Sequence, residues 1–287
     1  MKESVIMKNV AYYNGRIAPL EELMIPANDR AVYFGDGVYD ATYAVGRVIF
    51  AVDEHIERFM NSCRMLMIDP QITREELKKT LYMLVDLADD DDTCIYWQAS
   101  RATAPRAHVF PEEPKTNLLV TVRPFKLADT TKRMKLITTE DNRYYLCNIK
   151  TINLLPNVLA SEKAKRAGCN EAVFIRDGYV TECSHCNISI LKNGVFKTAP
   201  LNNLILPGIT RAHIIALCKE LLIPVVEEAF TKEELMDADE VIISSSSVHG
   251  AAACEIDGIA VGGKDTETFE KIRLAYRDKL LRETRSR

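Results

Sequence analysis

The sequence predicts a two-domain chain of mixed α/β (α+β) class. Three observations carry this reading. The chain has 287 residues, enough for two domains of ordinary size. Tight-turn hairpin signals recur at Asn14-Gly15, Asp177-Gly178, Asn193-Gly194 and Asp257-Gly258, among segments with helical apolar spacing. The strands and helices mix without a regular βαβ repeat, which argues against a doubly wound parallel sheet. The expected division is 1–123, a linker over 124–133 and 134–287, because Pro124 opens a polar stretch that ends at Arg133.

The first half opens with a hairpin over Val10–Ile17, turning at Asn14-Gly15. A second runs from Val38 through Val45, turns near Gly46-Arg47 and returns through Val48-Ile49-Phe50. Asp53 is expected to cap a helix with Ile56, Phe59, Met60, Cys63 and Met67 on its core face, leaving His55, Glu57 and Arg58 off it. Thr73 and Glu76 form a capping box for a helix that buries Leu77, Leu81, Leu84 and Val85. The run Asp89 to Asp92 reads as a solvated loop, since adjacent residues do not converge on one ion. Strands follow at Cys94–Arg101 and Leu118–Val122, with a loop between them bracketed by Pro105 and Pro111. In the second half a strand is expected at Met134–Thr139 and a helix at about Asn157–Ala167, stopped by Gly168. Three hairpins come next, with helices at about Thr210–Leu221, after a Thr231/Glu234 capping box, and from Thr266 onward.

Composition narrows the function. The chain is 47% apolar and 27% charged, with a net charge of −4. That balance offers no basic field for nucleic acid or an anionic membrane. No apolar run approaches the ~20 residues of a spanning helix, and Met1–Val5 lacks the apolar core of a leader. Eight scattered cysteines in a chain of this size read as reduced thiols, so a cytoplasmic protein is expected. Cys183 and Cys186 form a C-x-x-C, but a metal or redox role needs a second ligand pair or a helix N-terminus. None is visible in the sequence, so no metal is expected.

The chemistry gathers around Lys150, in Cys147-Asn148-Ile149-Lys150-Thr151-Ile152-Asn153. Desolvating an ammonium is costly, so a lysine among apolar neighbours is either an amine nucleophile or a strand-end residue that snorkels to water. Three later segments decide between these: Val180-Thr181-Glu182-Cys183-Ser184-His185-Cys186-Asn187, then Leu206-Pro207-Gly208-Ile209-Thr210, then Ser244-Ser245-Ser246-Ser247. In this order, and over nearly the whole chain, they resemble the fold-type IV pyridoxal-phosphate enzymes, the class IV aminotransferases. Within that family the chain is most similar to the D-amino acid aminotransferase branch.

The resemblance implies a pyridoxal 5′-phosphate cofactor and a role for each matched residue. Lys150 is the amine that bonds the cofactor and shuttles a proton. Glu182 pairs with the pyridine N–H and keeps the ring electron-withdrawing. Ile209 and Thr210 at a helix start, Arg58, and the hydroxyls of Ser245 and Ser246 hold the phosphate. Arg106-x-His108, with Tyr39, matches the trap for the substrate α-carboxylate, in which arginine offers a planar fork. In the family the Arg-x-His pair reaches in from a partner subunit, so a homodimer is implied. The expected reaction moves the amino group of D-alanine to 2-oxoglutarate. Aminodeoxychorismate lyase, branched-chain and (R)-amine transaminases, and an inactive binding paralogue are the alternatives. The chain departs from the family at Asp40, where glutamate is usual, at Asn148, where aspartate is common, and at Cys183 and His185, which replace small residues.

Overall fold

The computed structural model describes residues 6–285, so the Met1–Val5 stretch read above lies outside it. The fold is mixed α/β, as the sequence predicts. Contacts divide the chain into two units. One runs to Lys126 and includes Ile149–Asn153 and the chain end from Leu281; the other comprises Leu127–Asn148 and Leu154–Leu280. The five residues around Lys150 thus pack with the first unit, which a simple split at 124–133 does not anticipate.

The first unit is a six-stranded antiparallel sheet with helices on it. Its elements are β1 (Val10–Tyr13), β2 (Arg16–Pro19), α1 (Arg30–Phe34), β3 (Gly37–Val45), β4 (Val48–Ile49), α2 (Val52–Met65), α3 (Arg74–Asp86), β5 (Thr93–Ser100) and β6 (Asn117–Pro124). The sheet order is β2-β1-β6-β5-β3-β4. Asn14 and Gly15 both take positive φ, which matches the right-handed strand twist in a tight hairpin. Helices α2 and α3 bury Ile56, Phe59, Leu77, Leu81, Leu84 and Val85 with Val38, Ile95, Trp97, Val120 and Val122 of the strands. The Thr73/Glu76 capping box is present.

Helix α2 differs from its sequence reading in three ways. It starts at Val52 after Ala51, with no side-chain cap, and the exposed Asp53 lies in its first turn. Met67 lies beyond the helix and is 72% exposed. His55 is buried, not off the core face, and the Arg58 side chain is only 10% exposed. The cause is Asp40. Strand periodicity turns its carboxylate toward α2, and a buried carboxylate needs donors.

The second unit holds a mixed nine-stranded sheet. Its elements are β7 (Met134–Glu140), α4 (Leu155–Arg166), β8 (Glu171–Arg176), β9 (Tyr179–Cys183), β10 (Asn187–Lys192), β11 (Val195–Thr198), α5 (Ile209–Glu220), β12 (Val225–Glu227), α6 (Lys232–Asp237), β13 (Glu240–Ser244), β14 (Ala251–Ile256), β15 (Ile259–Ala260) and α7 (Thr266–Glu283). The order is β12-β11-β10-β13-β14-β7-β8-β9, with β15 on β14. Strands β7 and β8 are parallel and apolar on both faces. Leu136 and Val173 join one core with Ile188, Val241 and Ile243, while Ile137, Ala172 and Phe174 face Ala160 and Ala164 of α4.

Candidate active site

In the first unit, β3 positions the lysine. Residues 150–152 lie along the start of β3: Tyr39 N donates to Lys150 O at 2.8 Å, and Ile152 N donates to Gly37 O at 3.1 Å. Gly37 is required there, because a Cβ would stand 2.5 Å from Ala99 O. Ile149 is buried in the core beside Lys150, and the half-buried Lys150 places Nζ 4.4 Å from the centroid of the Tyr39 ring. Tyr39 in turn stacks on Tyr96 at 5.4 Å. Two of the sequence-predicted residues, Lys150 and Tyr39, are therefore neighbours.

On the other face of β3, Arg58 Nε and Nη2 each donate to Asp40 at 2.8 Å, and His55 Nδ1 lies 2.7 Å from the same carboxylate. Burial pushes the Asp40 carboxyl up, but Arg58 and then His55 outweigh it and hold the group well below the usual carboxylate range. Burial lowers the His55 pKa, with Arg58 and Lys150 adding to that and Asp40 opposing. The unusual Asp40 thus anchors Arg58.

Arg106 and His108 lie on the exposed loop after β5 and meet at Phe34, at 5.1 and 5.3 Å from its ring. Among the described residues, no hydrogen bond or ring contact joins either of them to Tyr39 or Lys150. Two buried arginines hold this loop, and the sequence reading missed both. Arg30 Nη1 donates to Ala107 O at 2.6 Å and Val109 O at 3.2 Å. Arg101 sits 3.6 Å from the Phe110 ring centroid. Asp36 pairs with both guanidinium groups, at 2.7 and 3.0 Å.

In the second unit, Glu182 is the penultimate residue of β9 and is 6% exposed. Arg143 Nη1 donates to one of its oxygens; Asn187 Nδ2 and Leu206 N donate to the other at 3.1 and 3.0 Å. Arg143 also donates to both oxygens of Asp141 at 2.9 Å. Burial raises the Asp141 pKa, but Arg143 and then Arg176 bring it down to about 2. The sequence singled out Glu182 and missed this support, because Asp141 and Arg143 precede Lys150 in a stretch without periodicity.

Asn187 also donates to Leu206 O at 3.0 Å, which ties Glu182 to the chain entering α5. Gly208 is the N-cap of α5, and no side chain caps the helix. A Cβ at Gly208 would stand 1.9 Å from Asn187 Oδ1, so any side chain there would have to displace Asn187. Thr210 is buried, with Oγ1 3.4 Å from Tyr276 Oη; Ile209 is buried beside it. Ser245 Oγ lies 3.1 Å from Ser247 Oγ, and Ser246 is half-buried. These groups have the character an anion needs: an uncapped helix start with no acid in its first turn, and serine hydroxyls after β13.

Comparison with known proteins gives this arrangement a family. Residues 37–256 match the family model for amino-transferase class IV.

The chain belongs to the class IV aminotransferases.

It is 35% identical to a D-alanine aminotransferase of Bacillus licheniformis over 275 residues, covering 95% of this chain and 97% of that one. It is 39% identical to a D-alanine aminotransferase of Staphylococcus epidermidis over 252 residues, covering 86% and 89%. Among solved structures it resembles a branched-chain aminotransferase of Thermoproteus uzoniensis, with a TM-score of 0.88, 26% identity, and 96% and 95% coverage. The protein is a pyridoxal-phosphate-dependent aminotransferase, and its residues fit that cofactor. A buried carboxylate suits a protonated ring nitrogen. The Gly208 start of α5, uncapped and without a side chain of its own, suits a phosphate.

Proposed function

We propose that this aminotransferase takes the amino group of D-alanine and delivers it to 2-oxoglutarate, giving pyruvate and D-glutamate in two half-reactions. The observation that carries the reading is the Arg106-x-His108 pair on an exposed loop clamped by Arg30 and Arg101, in a chain 35–39% identical to proteins named D-alanine aminotransferase.

When bound, pyridoxal phosphate supplies an electron sink that makes the substrate Cα–H acidic. The chain does the rest. Lys150 Nζ would hold the cofactor and would move the proton at the substrate Cα. Glu182, with its carboxylate fixed by Arg143, Asn187 and Leu206 N, keeps the ring nitrogen protonated. Ile209, Thr210, Ser245, Ser246 and Arg58 hold the phosphate, with Arg58 oriented by Asp40. Arg106, His108 and Tyr39 bind the α-carboxylate and so fix which face of Cα meets Lys150.

The working form in this reading is a cytoplasmic homodimer in which Arg106 and His108 serve the partner's Lys150. Their exposure and their lack of contact with Lys150 support this. So does α4, which exposes Leu155, Val158 and Leu159 at helical spacing, at 65%, 59% and 62%. All eight cysteines are free, which suits a reducing compartment. No described helix is long and apolar enough to cross a membrane.

Product analysis tests the reaction. D-Alanine with 2-oxoglutarate should give pyruvate and D-glutamate in equal amounts. Pyruvate released from aminodeoxychorismate, with no exchange from D-alanine, would replace the reading by the lyase. Exchange with L-leucine alone would replace it by a branched-chain enzyme.

A further inference from the structure

Outside the residues assigned to the cofactor, Glu171, His185 and Cys186 bring a carboxylate oxygen, an imidazole nitrogen and a thiol sulfur within 4.8 Å of one another. We infer that these three side chains bind a divalent cation of the zinc class.

The backbone builds the cluster. Glu171 is the first residue of β8, and residues 184–186 form the turn from β9 to β10. Ser184 N donates to Ala172 O at 2.9 Å, and Cys183 N donates to Cys186 O at 2.7 Å, so the turn is pinned over Glu171. The carboxylate is fully buried and fixed from behind. One oxygen accepts from Ala172 N at 2.7 Å, Ser184 N at 3.2 Å and the Ser184 hydroxyl. Its other oxygen lies 2.6 Å from His185 Nδ1 but without hydrogen-bond geometry, so no donor is aligned on it. A buried carboxylate oxygen in that state, backed by an orienting shell, is what a metal ligand looks like before the ion arrives.

The donor set selects the ion. One thiolate, one imidazole and one carboxylate suit zinc and not magnesium or calcium, which take oxygen. Glutamate and thiolate together neutralise the double charge. Ligands around tetrahedral zinc stand about 3.3–3.6 Å apart. His185, with its side chain 51% exposed, is the ligand with the most room to adjust, and the fourth position is left to water. The sequence concealed the site, because its carboxylate comes from a different strand than the C-x-x-C. Cys183 is not among the converging atoms.

The test is a zinc titration of the holoenzyme, cleared of metal with a chelator, against a chromophoric competitor, with metal content measured after gel filtration. One equivalent of zinc per chain should bind with a Kd in the micromolar range or below. Binding should be lost in His185→Ala and in Cys186→Ser and kept in Cys183→Ser. Absence of tight zinc binding, or a full equivalent retained in His185→Ala, would overturn the inference. His185→Ala carries the test if Cys186→Ser does not fold, because its side chain is half exposed. X-ray absorption of the loaded protein should show one sulfur with nitrogen and oxygen neighbours. A shell without sulfur would also overturn it.

Discussion

Asp40 receives Arg58 through two parallel hydrogen bonds of 2.8 Å and shares one of those oxygens with His55. The carboxylate is fully buried, at a position where glutamate is usual in the family. Removing it would strand a guanidinium and an imidazole in a low-dielectric interior. Asp40→Ala should cost about 3–5 kcal/mol in urea unfolding, and should weaken cofactor binding as Arg58 loses its orientation. An unchanged unfolding midpoint would contradict the anchoring role.

Stability should fall on the acid side. His249 is buried, and burial lowers its pKa to about 4. A depressed group contributes fully above its unfolded value, near 6.5, and that contribution is lost as pH falls toward the folded value. His249 alone should remove up to about 3 kcal/mol over that window. His55, also lowered, acts in the same direction. Asp40 and Asp141, both lowered, add to the loss below about pH 4. His249→Asn tolerates the positive φ of 56° at this position and should flatten the pH 6.5–4 slope of the unfolding free energy. An unchanged slope would remove His249 from the account.

Gly208→Ala tests the link between Glu182 and α5. The new Cβ would displace Asn187, which bonds both Glu182 and Leu206 O. Cofactor affinity should drop about tenfold or more, equivalent to roughly 1.4 kcal/mol, as read by titration of the apoprotein. Wild-type affinity would show that Asn187 can move without consequence.

The proposed action of Arg106 across subunits has its own signature. Lys150→Ala and Arg106→Ala should each be nearly inactive alone with D-alanine. Mixed and re-equilibrated, they should form hybrids with one intact site, roughly a quarter of all sites. No recovered activity, with hybrids shown to form, would place Arg106 in the same subunit's site or outside it.

Much of the fold was legible because local chemistry dictated it. Asn14-Gly15 and the three later tight turns demanded positive φ, and the Thr73/Glu76 and Thr231/Glu234 boxes marked helix starts. Long-range polar partners were not legible. Nothing local tells that Arg143 reaches Glu182 across 39 positions or that Asp36 joins Arg30 to Arg101. The misreading of His55 has the same origin. Helical spacing put it off the core face, and a buried Asp40 on a strand brought it in. Lys150 and Glu182 themselves are singled out by the order of their segments, not by any property of either residue alone.

A half-reaction tests whether this aminotransferase is D-selective. Cofactor-loaded protein is mixed with D-alanine, and separately with L-alanine and L-leucine, without any oxo acid. The visible absorption band of the lysine-bound cofactor should disappear with D-alanine, with one pyruvate formed per chain, and persist with the other two. Loss of the band with an L-amino acid, or no change with D-alanine, would contradict the account.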